Sequence, residues 1–198
     1  MEGDKMTYLY KFFISSMIIF SLFLTACGTS PVNSSLAEKI NPINDFDVKN
    51  YEQYAATLQN ENGYSKKEAS KLAFEVELLK VALINRAMEL GIKITDEDAK
   101  KQANEGRELF VSGKLSDIEM KSIEETIVDL GITEEQFWNE YVVQTGAKMQ
   151  ILIERLQDYH KEHYREIDWD DYAKDIVENF KIKEIEKINK FKEKIGME

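Results

Sequence analysis

The sequence predicts an all-α protein, a multi-helix bundle. Three observations carry this. Beyond residue 47, apolar residues recur at spacings of three and four, the period of a helix face rather than of a strand. Both prolines, Pro31 and Pro42, lie before residue 50, so the residue that most disrupts helices is missing from the rest of the chain. Helix starts are also punctuated repeatedly by a Ser or Thr followed three residues later by Glu or Gln. No alternating strand pattern of useful length and no repeat array occurs.

Taken in order, Val48, Tyr51, Ala55 and Leu58 mark a first helix that stops at Asn62-Gly63. Ser65-Lys66-Lys67-Glu68 is a capping box in which the serine oxygen accepts an orphan amide and the glutamate reaches back. It opens a helix to Leu90, where Gly91 ends it by taking the left-handed conformation without a Cβ clash. Thr95 with Asp96-Glu97-Asp98 starts a third helix, running to about Val111 before Ser112-Gly113. Ser116-Asp117-Ile118-Glu119 starts a fourth, which ends at Leu130-Gly131, with Ile132 folding back on Ile127. Thr133-Glu134-Glu135-Gln136 opens a long helix to about His163 or Glu166. Its residues Trp138, Val142, Thr145, Met149, Leu152, Leu156, Tyr159 and His163 form a narrow seam. Asp168 caps a last helix ending near Ile195. Its apolar face, Tyr172, Ile176 and Phe180 and then Ile182, Ile185, Ile188, Phe191 and Ile195, drifts at near-three spacing and so implies a bend or a wrap.

The first residues follow a different logic. A greasy run from Phe12 to Leu24, too short to span a bilayer, leads into Leu24-Thr25-Ala26-Cys27. The basic flank is thin, Lys5 and Lys11 against Glu2 and Asp4, and Met6 is an alternative start. The small residues before a lone cysteine resemble the lipobox of bacterial lipoproteins. That resemblance implies removal of residues 1–26 as a signal peptide, and a diacylglycerol-bearing Cys27 anchoring the chain to the extracytoplasmic face of a membrane. Two acyl chains hold a protein stably where one binds only marginally. Residues 27–46, small and polar with both prolines, read as a flexible tether, and residues 47–198 as the helical domain. Cys27 is the only cysteine, so no disulfide can form within the chain.

The formal net charge is −11. Such a surface repels phosphate backbones, which argues against a nucleic-acid partner. His160 and His163 sit one turn apart near Asp158, Glu162 and Glu166 but have no third distant His or Cys, so no metal is expected. No nucleophile motif accompanies them, no glycine-rich phosphate loop occurs, and Asp168-Trp169-Asp170-Asp171 lacks the glycine and terminal glutamate of a calcium loop. The expectation is a protein that is not an enzyme and needs no cofactor.

From Ser65 to about Glu162 the order of pieces is distinctive. A long apolar helix ends Ala87-Met88-Glu89-Leu90-Gly91-Ile92. Ile94-Thr95-Asp96-Glu97-Asp98-Ala99 and a charged helix follow, then Asp129-Leu130-Gly131-Ile132-Thr133-Glu134-Glu135-Gln136-Phe137 and a long helix. This order resembles the N-terminal domain of SurA-type extracytoplasmic chaperones, a module shared with PrsA-like foldases and, more distantly, trigger factor. In that family a parvulin-type prolyl isomerase domain commonly follows the long helix and a later helix packs back on the N-terminal module; here only a few residues separate His163 from Asp168, and the resemblance implies that the long C-terminal helix from Asp168 to Ile195 packs back directly. The resemblance therefore implies the binding half of such a foldase without its catalytic half, acting on unfolded or extended polypeptides during secretion or envelope assembly. A dedicated interaction lipoprotein with one folded partner is the alternative.

The helix from Ser65 to Leu90 carries two apolar rows: Leu72, Val76, Leu79, Leu83, Ala87 and Leu90, and Phe74, Leu78, Val81, Ile84 or Asn85, and Met88. Two rows mean either a central buried helix or a core face plus a client groove. On the second reading Phe74, Leu78, Val81 and Met88, with Phe110, Phe137, Trp138, Tyr141 and Met149, are the candidate peptide-binding residues, methionine being the side chain that adapts best to varied partners.

Overall fold

The structure, a computed structural model, describes Leu36, residues 40–60 and residues 62–197. Cys27, the signal segment and most of the expected tether lie outside the described residues. The described residues are all-α, with no strand among them. Helix α1 (Val48–Asn60) is followed by α2 (Lys66–Glu89), α3 (Asp96–Val111), α4 (Asp117–Leu130) and the single turn α5 (Glu134–Gln136). A π-helical segment (Phe137–Val142), α6 (Gly146–His163), α7 (Trp169–Lys183) and α8 (Ile185–Lys194) complete the chain.

The expected boundaries hold wherever capping chemistry set them. Ser65 accepts the Glu68 amide and Glu68 returns the bond to the Ser65 backbone. Thr95 with Asp98, Ser116 with Glu119, and Thr133 with Gln136 do the same for α3, α4 and α5. In α3 the donors of Thr95, its backbone N–H first, hold the Asp98 carboxyl below its usual range. Gly131 closes α4 in the left-handed region (φ 63°), which lets the Ile132 amide reach back to the Ile127 carbonyl at 3.2 Å.

Two long helices expected from periodicity are broken. The one starting at Thr133 passes through the π segment and is interrupted at Thr145 (φ −118°, ψ −97°) before α6 begins. The Thr145 hydroxyl donates to the Tyr141 carbonyl at 2.7 Å, competing with the helical ladder, and Gly146 follows it. The last helix turns a corner at Glu184 (φ −113°, ψ 29°). The corner resolves the drift in its apolar face: Tyr172, Ile176 and Phe180 are buried before it and Ile188 and Phe191 after it. Ile182 and Ile185, expected on that face, are instead 79% and 51% exposed.

The core is built around α2, which packs against α1, α6 and α7. Residues 76–84 of α2 are buried without a gap, so this is a central helix enclosed on both apolar rows. Its middle joins Met149, Leu152, Ile153 and Leu156 of α6 and Tyr172, Ala173, Ile176 and Phe180 of α7. A second cluster gathers Ala99 and Ala103 of α3, Ile123 and Leu130 of α4, and Phe137, Trp138, Tyr141 and Val142 of the π segment. A third joins Tyr51 and Ala55 of α1 to Ala73 of α2 and Phe191 of α8, so the C-terminal helix packs back beside the first one.

Leu156 is fully buried against α2 whereas Val111 is 71% exposed. Leu156→Ala should lower unfolding stability by about 2–5 kcal/mol through lost transfer energy and a residual cavity. Val111→Ala should stay within about 0.5 kcal/mol of the parent. Urea melts followed by circular dichroism measure both.

Candidate binding cleft

An enclosed helix ought to be apolar on every side, yet α2 carries Glu77 and Lys80 in its buried middle. One turn apart on one face, they form an ion pair in which Lys80 Nζ lies 2.6 Å from both Glu77 oxygens. A buried carboxylate needs its remaining lone pairs satisfied. The further donor is the backbone N–H of Asp47, which reaches Glu77 Oε1 at 2.7 Å. Burial pushes the Glu77 carboxyl pKa up, opposed by the adjacent Lys80 ammonium and the Asp47 amide.

Asp47 is held through both its main chain and its side chain. Its amide is held by Glu77, and its carboxylate caps α1 by accepting the Lys49 and Asn50 amides at 2.8 and 3.2 Å. The preceding residues 40–46 form a non-helical strap laid over the bundle, with a turn closed by the Asp45 amide on the Pro42 carbonyl at 3.0 Å. Residues 40–46, the last of the stretch expected to be a tether, thus lie against the helices. Ile40 packs against the second core cluster, as does Leu36, while Ile43 and Phe46 pack against the first. The Phe46 ring stacks on Phe191 (centroids 4.5 Å apart), meets Phe180 edge-on at 6.3 Å and lies beneath the Lys187 ammonium at 6.0 Å. The Asn44 carbonyl accepts from both Asn85 Nδ2 and Lys187 Nζ, each at 2.9 Å, and Lys187 also pairs with Asp45 at 3.2 Å.

Beneath and beside the strap lies a cleft of about 340 Å³. Its far walls are Lys80 of α2, Tyr141 of the π segment, Thr145, Met149 of α6 and Lys194 of α8. Burial pushes the Tyr141 hydroxyl pKa up. Lys49, Lys80 and Lys194 share this lining with Asp45 and Asp47, and Lys80 is paired with Glu77. The groups that hold the strap, two donors on a carbonyl, a buried carboxylate on an amide and an aromatic pair on a side chain, are not among the residues lining this cleft.

Of the residues expected to bind peptide, only Tyr141 and Met149 line this cleft. Leu78, Val81, Phe137 and Trp138 are consumed by the core, at 0–3% exposure, because both apolar rows of α2 and the aromatic face of the π segment are covered by neighbouring helices. Trp138 sits so closely on α3 that a Cβ on Gly106 would lie 3.0 Å from its ring. Phe110 is half-buried against Trp138. Phe74 stacks on Phe191 beneath Lys192, and Met88 stands 48% exposed, away from the cleft lining. The residues that hold the strap, Glu77, Lys80, Asn85 and Lys187, were not among those expected. The signal for the first three was present: charged and amide side chains interrupting the apolar middle of α2.

The two histidines part company. His160 is buried among Tyr164, Trp169 and Tyr172, while exposed His163 stacks on Tyr159. Among the described residues no group of three potential metal ligands occurs, and no helix is long and apolar enough to cross a membrane.

Among known proteins, the chain is 34% identical over 155 residues to the glutamate-rich protein GrpA of Alkalihalophilus pseudofirmus, an alignment spanning 77% of this chain and 97% of that protein. No family model matches the chain, and no solved structure matches it.

Removing one partner of a buried pair strands a charge. Lys80→Met should therefore cost about 3–5 kcal/mol, whereas Glu77→Gln combined with Lys80→Met, which keeps an acceptor for the Asp47 amide, should fall within about 1 kcal/mol of the parent. Denaturant titration of the single and double variants reads the difference.

Proposed function

The chain belongs to the family of the glutamate-rich protein GrpA. We propose that it is a lipid-anchored, extracytoplasmic, non-catalytic domain that binds unfolded or extended polypeptide segments. The anchor in this reading is Cys27, and the helical domain is of the SurA N-terminal type. The observation that supports the binding role is the docking of a non-helical stretch of chain on helices that grip its backbone, through Asn85 and Lys187 on the Asn44 carbonyl and Glu77 on the Asp47 amide. Contacts to main-chain groups are indifferent to sequence, which is what a binder of varied unfolded chains requires. Burial of one or two client side chains at roughly 1.5–3 kcal/mol each, less the cost of association, gives weak and exchangeable binding.

A dedicated interaction with one folded partner is favoured by a different feature, the exposed Ile182 and Ile185 flanking the α7–α8 corner. One experiment separates the two readings. A reduced, aggregating polypeptide is followed by light scattering with excess protein, alongside recovery of bound proteins from solubilised membranes. The chaperone reading predicts suppressed scattering and many substoichiometric clients. Unaltered scattering with one stoichiometric companion would replace it with the dedicated-partner reading.

A further inference from the structure

We propose that the strap formed by residues 40–47 is an intramolecular stand-in for the client: it occupies the groups beside the cleft that would hold an unfolded segment and must be displaced before such a segment can dock there. This rests on the client-binding reading and adds to it the location of the site, the chemistry that the site prefers and a built-in restraint on binding.

The strap does not belong to the bundle in the way the helices do. Ile40, Ile43 and Phe46 are only half-buried, against cores whose helix-borne members are almost wholly enclosed. Two of its polar attachments fall on main-chain atoms, the Asn44 carbonyl and the Asp47 amide, which any chain of similar shape also presents; another is the Asp45 carboxylate on Lys187. The groups that receive it come from helices distant in sequence. Glu77 and Asn85 project from the central helix, and Phe180, Lys187 and Phe191 from the α7–α8 arm. The cleft of about 340 Å³ beside the strap is lined by other groups, Lys80, Tyr141 and Met149 among them, and adjoins the surface that the strap covers.

The strap also specifies what this site prefers. Phe46 occupies an aromatic slot between Phe180 and Phe191, and its neighbour Asp45 pairs with Lys187. The favoured client is a non-helical segment in which a large aromatic side chain is flanked by a carboxylate that takes the place of Asp45 on Lys187. A lysine or arginine at that position is disfavoured by Lys187. Because only the open population binds, a strap closed about 99% of the time weakens apparent client affinity about 100-fold, and loosening it recovers part of that factor.

The test measures binding of a fluorescently labelled, reduced and alkylated polypeptide to the full chain by anisotropy. Phe46→Ser empties the aromatic slot, and Asp45→Lys sets the strap against Lys187 at an exposed position. If Phe46→Ser loses helicity, Asp45→Lys carries the test alone. Each loosened chain should bind the labelled polypeptide about tenfold more tightly than the parent. A free peptide with the sequence of residues 40–48 should then compete, and the same peptide with serine in place of its phenylalanine should not. Parent and folded loosened chains binding with equal affinity would overturn the strap's role while leaving client binding intact. Absence of binding by the parent and by both loosened chains would overturn client binding itself, and the strap's role with it.

Discussion

The fold turns on a conflict inside one helix. α2 is enclosed by α1, α6 and α7, and enclosure demands apolar side chains, yet Glu77 and Lys80 occupy its buried middle. An ion pair taken out of water loses about as much hydration as it gains in attraction, so it adds little net stability. What it does impose is a requirement: Glu77 takes two contacts from Lys80 and a third from the Asp47 amide. That third contact fixes the point at which the strap becomes helix α1. Asp47 is both the ligand of the buried carboxylate and the cap of α1, so the position of the first helix and the path of the strap are set by the same residue.

From this junction the rest of the site follows. Holding Asp47 aligns Phe46 with the gap between α7 and α8, where Phe180 and Phe191 stand on either side of the Glu184 corner. Without that corner α7 and α8 would form one straight helix, and the two rings would not lie on adjoining faces around Phe46. The break at Thr145 is the counterpart on the opposite wall, setting Tyr141 and Met149 on either side of an interrupted helix that borders the cleft. Irregular backbone at two helix junctions thus shapes a cleft that straight helices would close.

Much of the fold was legible in the sequence because it is written in local chemistry. The Ser65, Thr95, Ser116 and Thr133 boxes and the turn at Gly131 act over three or four residues, and each marked a boundary that the structure keeps. The breaks were harder to read. A hydroxyl bonding its own helix at Thr145 leaves the apolar period intact, so periodicity alone runs through it; the drifting face around Ile182 and Ile185 gave warning of a bend but not its position. The binding residues were least legible. Apolar rows on α2 fit a groove and a core equally well, and only the surrounding helices, which make long-range contacts, decide that Leu78 and Val81 are core. The more informative residues were the polar ones out of place, Glu77, Lys80 and Asn85, since a charge on a buried face implies a partner elsewhere in the chain.

The central claim is that the strap is held by a local, reversible contact on a stable helix. Residue-resolved native-state hydrogen exchange under increasing denaturant tests it most directly, by comparing the Asp47 amide with the amide of Leu83 in the enclosed part of α2. The account predicts that Asp47 exchanges through a low-energy opening with little denaturant dependence, while Leu83 exchanges only on global unfolding. Equal opening energies and equal denaturant slopes for the two amides would mean that strap and bundle unfold as one unit, and would contradict it.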